Sequence, residues 1–192
     1  MIRTFIAIDF PAEIITKIAR VTAYLRTQTP VNALNWVAPE NMHLTLNFLG
    51  DVREDHIPAI EQCLQEAVQG QSSFNITIEG LGMYPNAKQP RVVWLGIKDA
   101  GALKHIQQAL TKALKAIDVE QENRPFSPHL TLARIRRNSS PDLTRQVGET
   151  LSQFKVDSLG SFPVQSVHLF KSELTPKGPI YTSLFSTPLN QV

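Results

Sequence analysis

The sequence predicts an α+β fold built on largely antiparallel sheets. Runs rich in β-branched and aromatic residues recur at strand length, and stretches between them repeat their apolar residues at helical spacing. The predicted order is strand, helix, strand, helix, strand, strand, helix, strand, a weak helix, strand, strand. Hairpin-like neighbours therefore mix with helical crossovers, which favours α+β over a regular βαβ alternation. No linker or low-complexity tract interrupts the 192 residues, so a single domain over 1–192 is expected.

Taken in order, Phe5 to Ile8 marks a strand over about 2–9. Pro11 suits a helix start, and Ile14, Ile15, Ile18, Val21 and Leu25 follow at helical spacing up to Thr29-Pro30. A loop carrying Trp36, Pro39 and Asn41 leads to a strand over 42–49, closed by Gly50-Asp51. The next helix covers about 54–69, with Ile57, Ile60, Leu64 and Val68 as its stripe and Pro58 in its first turn. Phe74 to Ile78 alternates as a strand, punctuated by Gly80, Gly82 and Pro85, and Arg91 to Ile97 is another. Gly101 precedes a helix through Leu103, Ile106, Leu110, Leu114 and Ile117, and the polar segment 118–128 leads to a strand over 129–135. In 136–162, the least regular part, Leu143, Val147 and Leu151 suggest a short helix after Pro141, weakened by Gly148. Strands over 164–170 and 180–185, with a turn at 174–178, complete the chain.

Composition sets limits on function. Nineteen basic and 17 acidic residues leave a net charge of +2, too little to imply nucleic-acid binding by itself, although Arg134, Arg136 and Arg137 form a local cluster. The single cysteine, Cys63, rules out an intramolecular disulfide and a thiolate metal cluster, and suits a reducing compartment. The N-terminal apolar run is short and broken by Asp9, so it reads as a strand and not as a signal peptide. No run approaches the roughly 20 apolar residues of a membrane span. A soluble, cytoplasmic protein is expected, with no membrane partner.

The most informative feature is a repeat. His43-Leu44-Thr45-Leu46 and His129-Leu130-Thr131-Leu132 lie 86 residues apart, each inside a predicted strand. Side chains alternate between the two faces of a strand, so each leucine pair can enter a core while the His and Thr project together from the other side. Two such pairs facing one groove would supply two acid–base groups and two hydroxyl donors, which is equipment for chemistry on a phosphodiester.

The tetrads and their flanks resemble the 2H phosphoesterase superfamily, and within it the RNA 2′,3′-cyclic phosphodiesterases, also called 2′-5′ RNA ligases. The resemblance runs through Asn41 to Gly50, Pro90 to Gly96 and Phe126 to Arg134, with Phe5 to Ile8, Lys171 to Leu174, Gly178 and Tyr181 also fitting. It implies a bilobal fold in which two mainly antiparallel sheets flank a central cleft, with helices outside and one tetrad from each of two pseudo-symmetric lobes. It also implies metal-independent, cofactor-free hydrolysis of RNA 2′,3′-cyclic phosphate ends to 2′-phosphomonoesters, and reversible 2′-5′ joining of RNA ends. Substrates would be RNAs with such ends, tRNA halves among the candidates, handled by a monomer. By resemblance, His43 protonates the leaving 3′-oxygen and His129 activates water; the residues themselves leave the two roles interchangeable.

Thr45 and Thr131 would bond the non-bridging oxygens. Arg134 would add charge stabilisation, but strict alternation puts it on the face opposite His129 unless the strand ends or bulges. Phe126, beside the second tetrad, is the favoured base-stacking residue, with Trp36 and Trp94 as further candidates and core packing favoured for Trp94. His56, His105 and His168 read as surface residues, with His168 able to border the cleft. Arg136 and Arg137 read as a solvated tip, and Arg91 is left open. No metal-ligand spacing accompanies either tetrad, and Gly80-x-Gly82 lacks the lysine of a phosphate loop. Two other functions remain compatible: a phosphodiesterase for small cyclic nucleotides or 2′,5′-linked oligonucleotides, and an RNA-end binding module without turnover.

Overall fold

Strands of alternating or wholly apolar residues pair into two antiparallel sheets, and four helices cover their outer faces. The computed structural model describes residues 1–99, 101–119, 125–176 and 178–191. The strands are β1 (Ile2–Asp9), β2 (Leu34–Trp36), β3 (His43–Val52), β4 (Phe74–Tyr84), β5 (Val92–Lys98), β6 (His129–Ile135), β7 (Gly160–Val164), β8 (Ser166–Thr175) and β9 (Gly178–Pro188). The helices are α1 (Ala12–Gln28), α2 (Ile57–Val68), α3 (Ala102–Ala116) and α4 (Pro141–Leu151). One sheet runs β3-β1-β8-β9 and the other β2-β6-β5-β4-β7, so each tetrad strand belongs to a different sheet.

The helices form because their apolar residues repeat at 3.6, and each buries that stripe. Ile14, Ile18 and Leu25 are the buried apolar residues of α1, and Leu103, Ile106, Leu110 and Leu114 those of α3. Helices α2 and α3 pack on each other and cover the four-stranded sheet through β3, β8 and β9. On the other sheet, Ile14 and Lys17 of α1 lie over Gly160 of β7, and α4 rests on the β4–β5 turn. The apolar faces of both sheets and all four helices join in one continuous core. None of the described helices is long and apolar enough to cross a membrane.

The structure corrects several predicted boundaries, and β8 also runs on through Leu174 to Thr175, where a turn was expected. Two strands are additional, β2 and β7, and both are edge strands of the five-stranded sheet. The first is only three residues long and the second contains Pro163, so neither carries a strand signature. Strand β3 continues through Gly50-Asp51 to Val52, and β4 continues through Gly80 and Gly82 to Tyr84. Gly50 and Gly80 both have positive φ beside a register shift, so they act as bulge residues and do not end their strands. Part of the polar segment 118–128 and part of the 174–178 turn lie outside the described residues.

Three glycines are required by close approach: Gly96, where a Cβ would meet the Glu79 carbonyl, Gly82 and Gly148. A Cβ at Gly82 would overlap the Trp94 indole, which lies flat across it. A Cβ at Gly148 would overlap the Ala87 carbonyl, where the β4–β5 turn docks on α4. The residue that weakens α4 on propensity is therefore the one that lets the helix pack. In an exposed helix interior, Gly→Ala stabilises by roughly 1 kcal/mol. Here Gly148→Ala is expected to destabilise by about 1–3 kcal/mol through overpacking, read as a lower urea midpoint; a raised midpoint would contradict the close approach.

Candidate active site

Both tetrad histidines are the first residues of their strands, and both are held in the same way. His43 Nδ1–H donates to the Asn41 carbonyl at 2.9 Å, and His129 Nδ1–H donates to the Ser127 carbonyl at 2.7 Å. A carbonyl only accepts, so in each ring Nδ1 carries the proton and Nε2 is left to meet a substrate. The local sequence supplies these acceptors. The turn Pro39–Asn41 precedes one histidine and Pro128 the other, and in each case the strand begins at the histidine.

Period two then separates the faces. Leu44, Leu46, Leu130 and Leu132 are buried in the core, while His43, Thr45, His129 and Thr131 are partly buried on the opposite face. Around each imidazole the neighbouring strands contribute aromatic rings. Phe5 of β1 stacks on His43 with centroids 4.6 Å apart, and Tyr181 of β9 meets it edge-on at 5.1 Å. Phe170 of β8 stacks on Phe5 at 5.3 Å, completing a small apolar cluster with Ala7 that is separate from the main core. On the second sheet, Tyr84 of β4 meets His129 edge-on at 5.1 Å, and Trp94 of β5 lies 6.3 Å away. The Tyr84 hydroxyl lies 2.9 Å from the Ser127 hydroxyl, beside the residue whose carbonyl holds His129.

Arg134 joins this face through a bulge. Trp94 pairs with Thr131 but Val93 pairs with Ala133, so Leu132 is an extra residue in β6. Alternation restarts after it, and Arg134 falls on the same side as Thr131. The two sheets meet here: β3 and β6 approach each other, and Tyr181 of one sheet senses Arg134 of the other. Burial pushes the Tyr181 phenol above its ordinary value, and the guanidiniums of Arg134 and Arg3 pull against that shift. Arg3, in turn, lies 4.8 Å over the Phe48 ring.

The remaining candidates fall elsewhere. The Phe126 ring is partly buried and packs against the core, whereas the rings of Tyr84 and Trp94 lie beside His129. Trp36 also packs against the core, because β2 turns it to the inner side of the sheet opposite Ala133. Trp94, expected in the core, lies on the tetrad face. His168 sits on the same face of β8 as Phe170, 5.7 Å from that ring, with Nε2 2.8 Å from the Ser166 hydroxyl. It also opposes the burial that raises the Asp9 carboxyl. Among the described residues no three His, Cys, Asp or Glu side chains cluster as metal ligands. Cys63 is buried on α2, where burial raises its thiol.

This geometry has close counterparts among known proteins. The model of the 2′-5′ RNA ligase superfamily matches residues 10–175. The chain belongs to this superfamily. A protein of Archaeoglobus fulgidus named RNA 2′,3′-cyclic phosphodiesterase is 35% identical over 182 residues, covering 95% of this chain and 97% of the relative. One of the same name from Methanothermobacter thermautotrophicus is 33% identical over 183 residues, covering 95% and 96%. The crystal structure of E. coli LigT complexed with 3′-AMP superposes with a TM-score of 0.78 at 29% identity, covering 99% of each chain. The superfamily match spans both tetrads.

The setting of His43 has an electrostatic consequence. Burial among aromatic rings lowers His43 to about 4, against the smaller opposing effect of its bond to Asn41. Unfolded, the same imidazole takes up a proton near pH 6.5. Between those values the unfolded chain binds a proton that the folded one refuses. The contribution to stability is therefore intact above about pH 6.5 and falls away as the pH drops toward about 4. A His43→Asn variant should lose that part of the pH dependence. Relative to it, the native protein should lose on the order of 3 kcal/mol across the window, measured by urea unfolding at a series of pH values; identical slopes would show that His43 titrates normally.

Proposed function

We propose that the protein hydrolyses RNA 2′,3′-cyclic phosphate ends to 2′-phosphomonoesters, with the two tetrad imidazoles as acid and base. The observation that carries this reading is the matched pair of Nδ1–H bonds, which leaves one Nε2 free on a tetrad strand of each sheet. Water attacks phosphorus and passes its proton to His129 Nε2. The bond from phosphorus to the 3′-oxygen breaks as the His43 imidazolium protonates that oxygen. The products are a 2′-phosphomonoester and a free 3′-hydroxyl, and the protons balance. With an RNA 5′-hydroxyl in place of water as the nucleophile, the same step forms a 2′,5′ linkage, and its reverse cleaves one.

The buried setting of His43 bears on its role. A ring with a low pKa gives up its proton readily, so the His43 imidazolium is a strong donor. The aromatic cradle disfavours that charged form in the empty site. A phosphodiester anion lodged beside the ring supplies the opposite charge that favours it. Thr45, Thr131 and Arg134 are assigned to the phosphoryl oxygens, and the rings of Tyr84, Trp94 and Tyr181 to the ribose and base. A single chain carries both imidazoles, so a monomer suffices. A cytoplasmic location suits the lone buried cysteine, and tRNA halves are one source of cyclic phosphate ends there.

Incubation with RNA ending in a 2′,3′-cyclic phosphate, in the presence of a chelator, should yield 2′-phosphate ends. A strict metal requirement or a 3′-phosphate product would overturn the mechanism. His43→Ala and His129→Ala should each lower the single-turnover rate by roughly 10²–10⁴-fold with the fold retained by circular dichroism; near-native turnover in either would remove the paired acid and base. Arg134→Gln should cost about 10- to 100-fold in kcat/KM, whereas Phe126→Ala should lower the urea midpoint with little change in KM. The reverse pattern would restore Phe126 as the residue that meets substrate.

A further inference from the structure

The hydrolytic site accounts for Arg134 but not for the arginines that follow it. Beyond the end of β6 lie two adjoining surface depressions, about 730 Å³ and 570 Å³, that share Arg136, Arg137 and Ser139. The larger is also lined by Lys88, Arg91 and Arg145, with Asp142 as its only acid. Five cations against one carboxylate give a local charge of +4 in a chain whose whole net charge is +2. The concentration of charge is therefore a property of this surface and not of the composition.

The depression is built, not a loose collection of side chains. Its floor is the β4–β5 turn, where Lys88 and Gln89 N–H both donate to the Asn86 side chain at 3.0 and 3.1 Å. That turn docks against α4 at Gly148. On the other side Arg136 N–H donates to Ala33 O and its Nε–H donates to Leu34 O at 3.4 Å, which tie the basic segment to β2. The surface is also continuous with the site. Tyr84 touches His129 with its ring, and its carbonyl accepts from Arg91 N–H at 2.6 Å. Along β6, His129 and Arg136 are seven residues apart, at most about 23 Å at the usual strand rise.

Building on the hydrolytic reading, we infer that this depression binds the phosphodiester backbone of the substrate RNA upstream of its cyclic end. Guanidiniums on a fixed floor suit repeated phosphates, and no apolar lining of the kind a folded protein partner needs is present beyond Ile135, Leu143 and the two prolines. At 3.4 Å per stacked nucleotide, a strand held at His129 reaches Arg136 after about seven nucleotides. The surface therefore makes the enzyme sensitive to RNA length, while a mononucleotide engages the histidines alone.

The test compares the native protein with an Arg91→Gln/Arg136→Gln/Arg137→Gln variant. Substrates are a mononucleoside 2′,3′-cyclic phosphate and RNAs of about 4 to 20 nucleotides with the same end. The native KM should fall as length passes about seven nucleotides. The variant should match native kinetics on the mononucleotide within twofold and lose at least tenfold in kcat/KM on the longest RNA. Binding of a 3′-hydroxyl 20-mer, followed by anisotropy without any turnover, should weaken in the variant. Its log–log salt slope should drop by about 0.7 for each phosphate that the variant no longer neutralises. A length-independent KM, an unchanged variant, or equal displacement of the 20-mer by a poly-glutamate peptide would overturn the proposal. Failure to hydrolyse the mononucleotide would instead count against the activity, and the anisotropy arm would still decide the surface.

Discussion

The site depends on one repeated interaction: a histidine at the start of a strand gives its Nδ1 proton to the carbonyl two residues earlier. The bond is local, spanning only two residues at the start of each tetrad strand. Its consequence is not local. It chooses the tautomer, turns the ring, and leaves a single nitrogen with a defined direction. A histidine in mid-strand would have its neighbouring carbonyls committed to the ladder. Position at the strand start thus matters as much as residue type, and the prolines at 39 and 128 help set it.

The second constraint is strand parity and its interruption. A strict period of two would give each tetrad strand one useful face and no more. Bulges reset the count. In β6 the extra Leu132 returns Arg134 to the face of His129, and in β3 the extra Leu46 brings Phe48 to the face of Thr45 and Phe5. Each bulge buries its extra leucine in the core, so the irregularity costs a ladder bond and recovers apolar burial.

These same features explain what was legible in the sequence. The tetrads, the four helices and the α+β class were, because each rests on periodicity within a single segment. The second motif strand was bounded correctly at both ends for the same reason. The short edge strands β2 and β7 were not, since three residues, or five with a proline, carry too little pattern. The rings around the histidines were also hidden. Phe5, Phe170, Tyr181, Tyr84 and Trp94 come from other strands, and β1 is apolar on both faces, so nothing in its pattern separates a core residue from one lining a site. Phe126 drew attention through its nearness in sequence to His129, but that nearness does not say which way the ring turns, and it packs partly buried against the core. Arg134 was readable only conditionally, because a bulge is a property of two paired strands and not of one. The low proton affinity of His43 likewise arises from neighbours brought in by pairing.

Two local bonds thus orient two imidazoles, one on each sheet, and the strand that carries His129 continues to a basic surface. The central claim is that both Nε2 atoms address the same phosphorus. It is tested most directly by ¹⁵N-imidazole NMR of the protein titrated with a nucleoside 2′-monophosphate, the product of the proposed reaction. The account predicts that, before ligand, Nδ1 is the protonated nitrogen in both rings, and that Nε2 of His43 and of His129 then shift together with one dissociation constant at a stoichiometry of one. A shift confined to one histidine, or two independent binding curves, would contradict it.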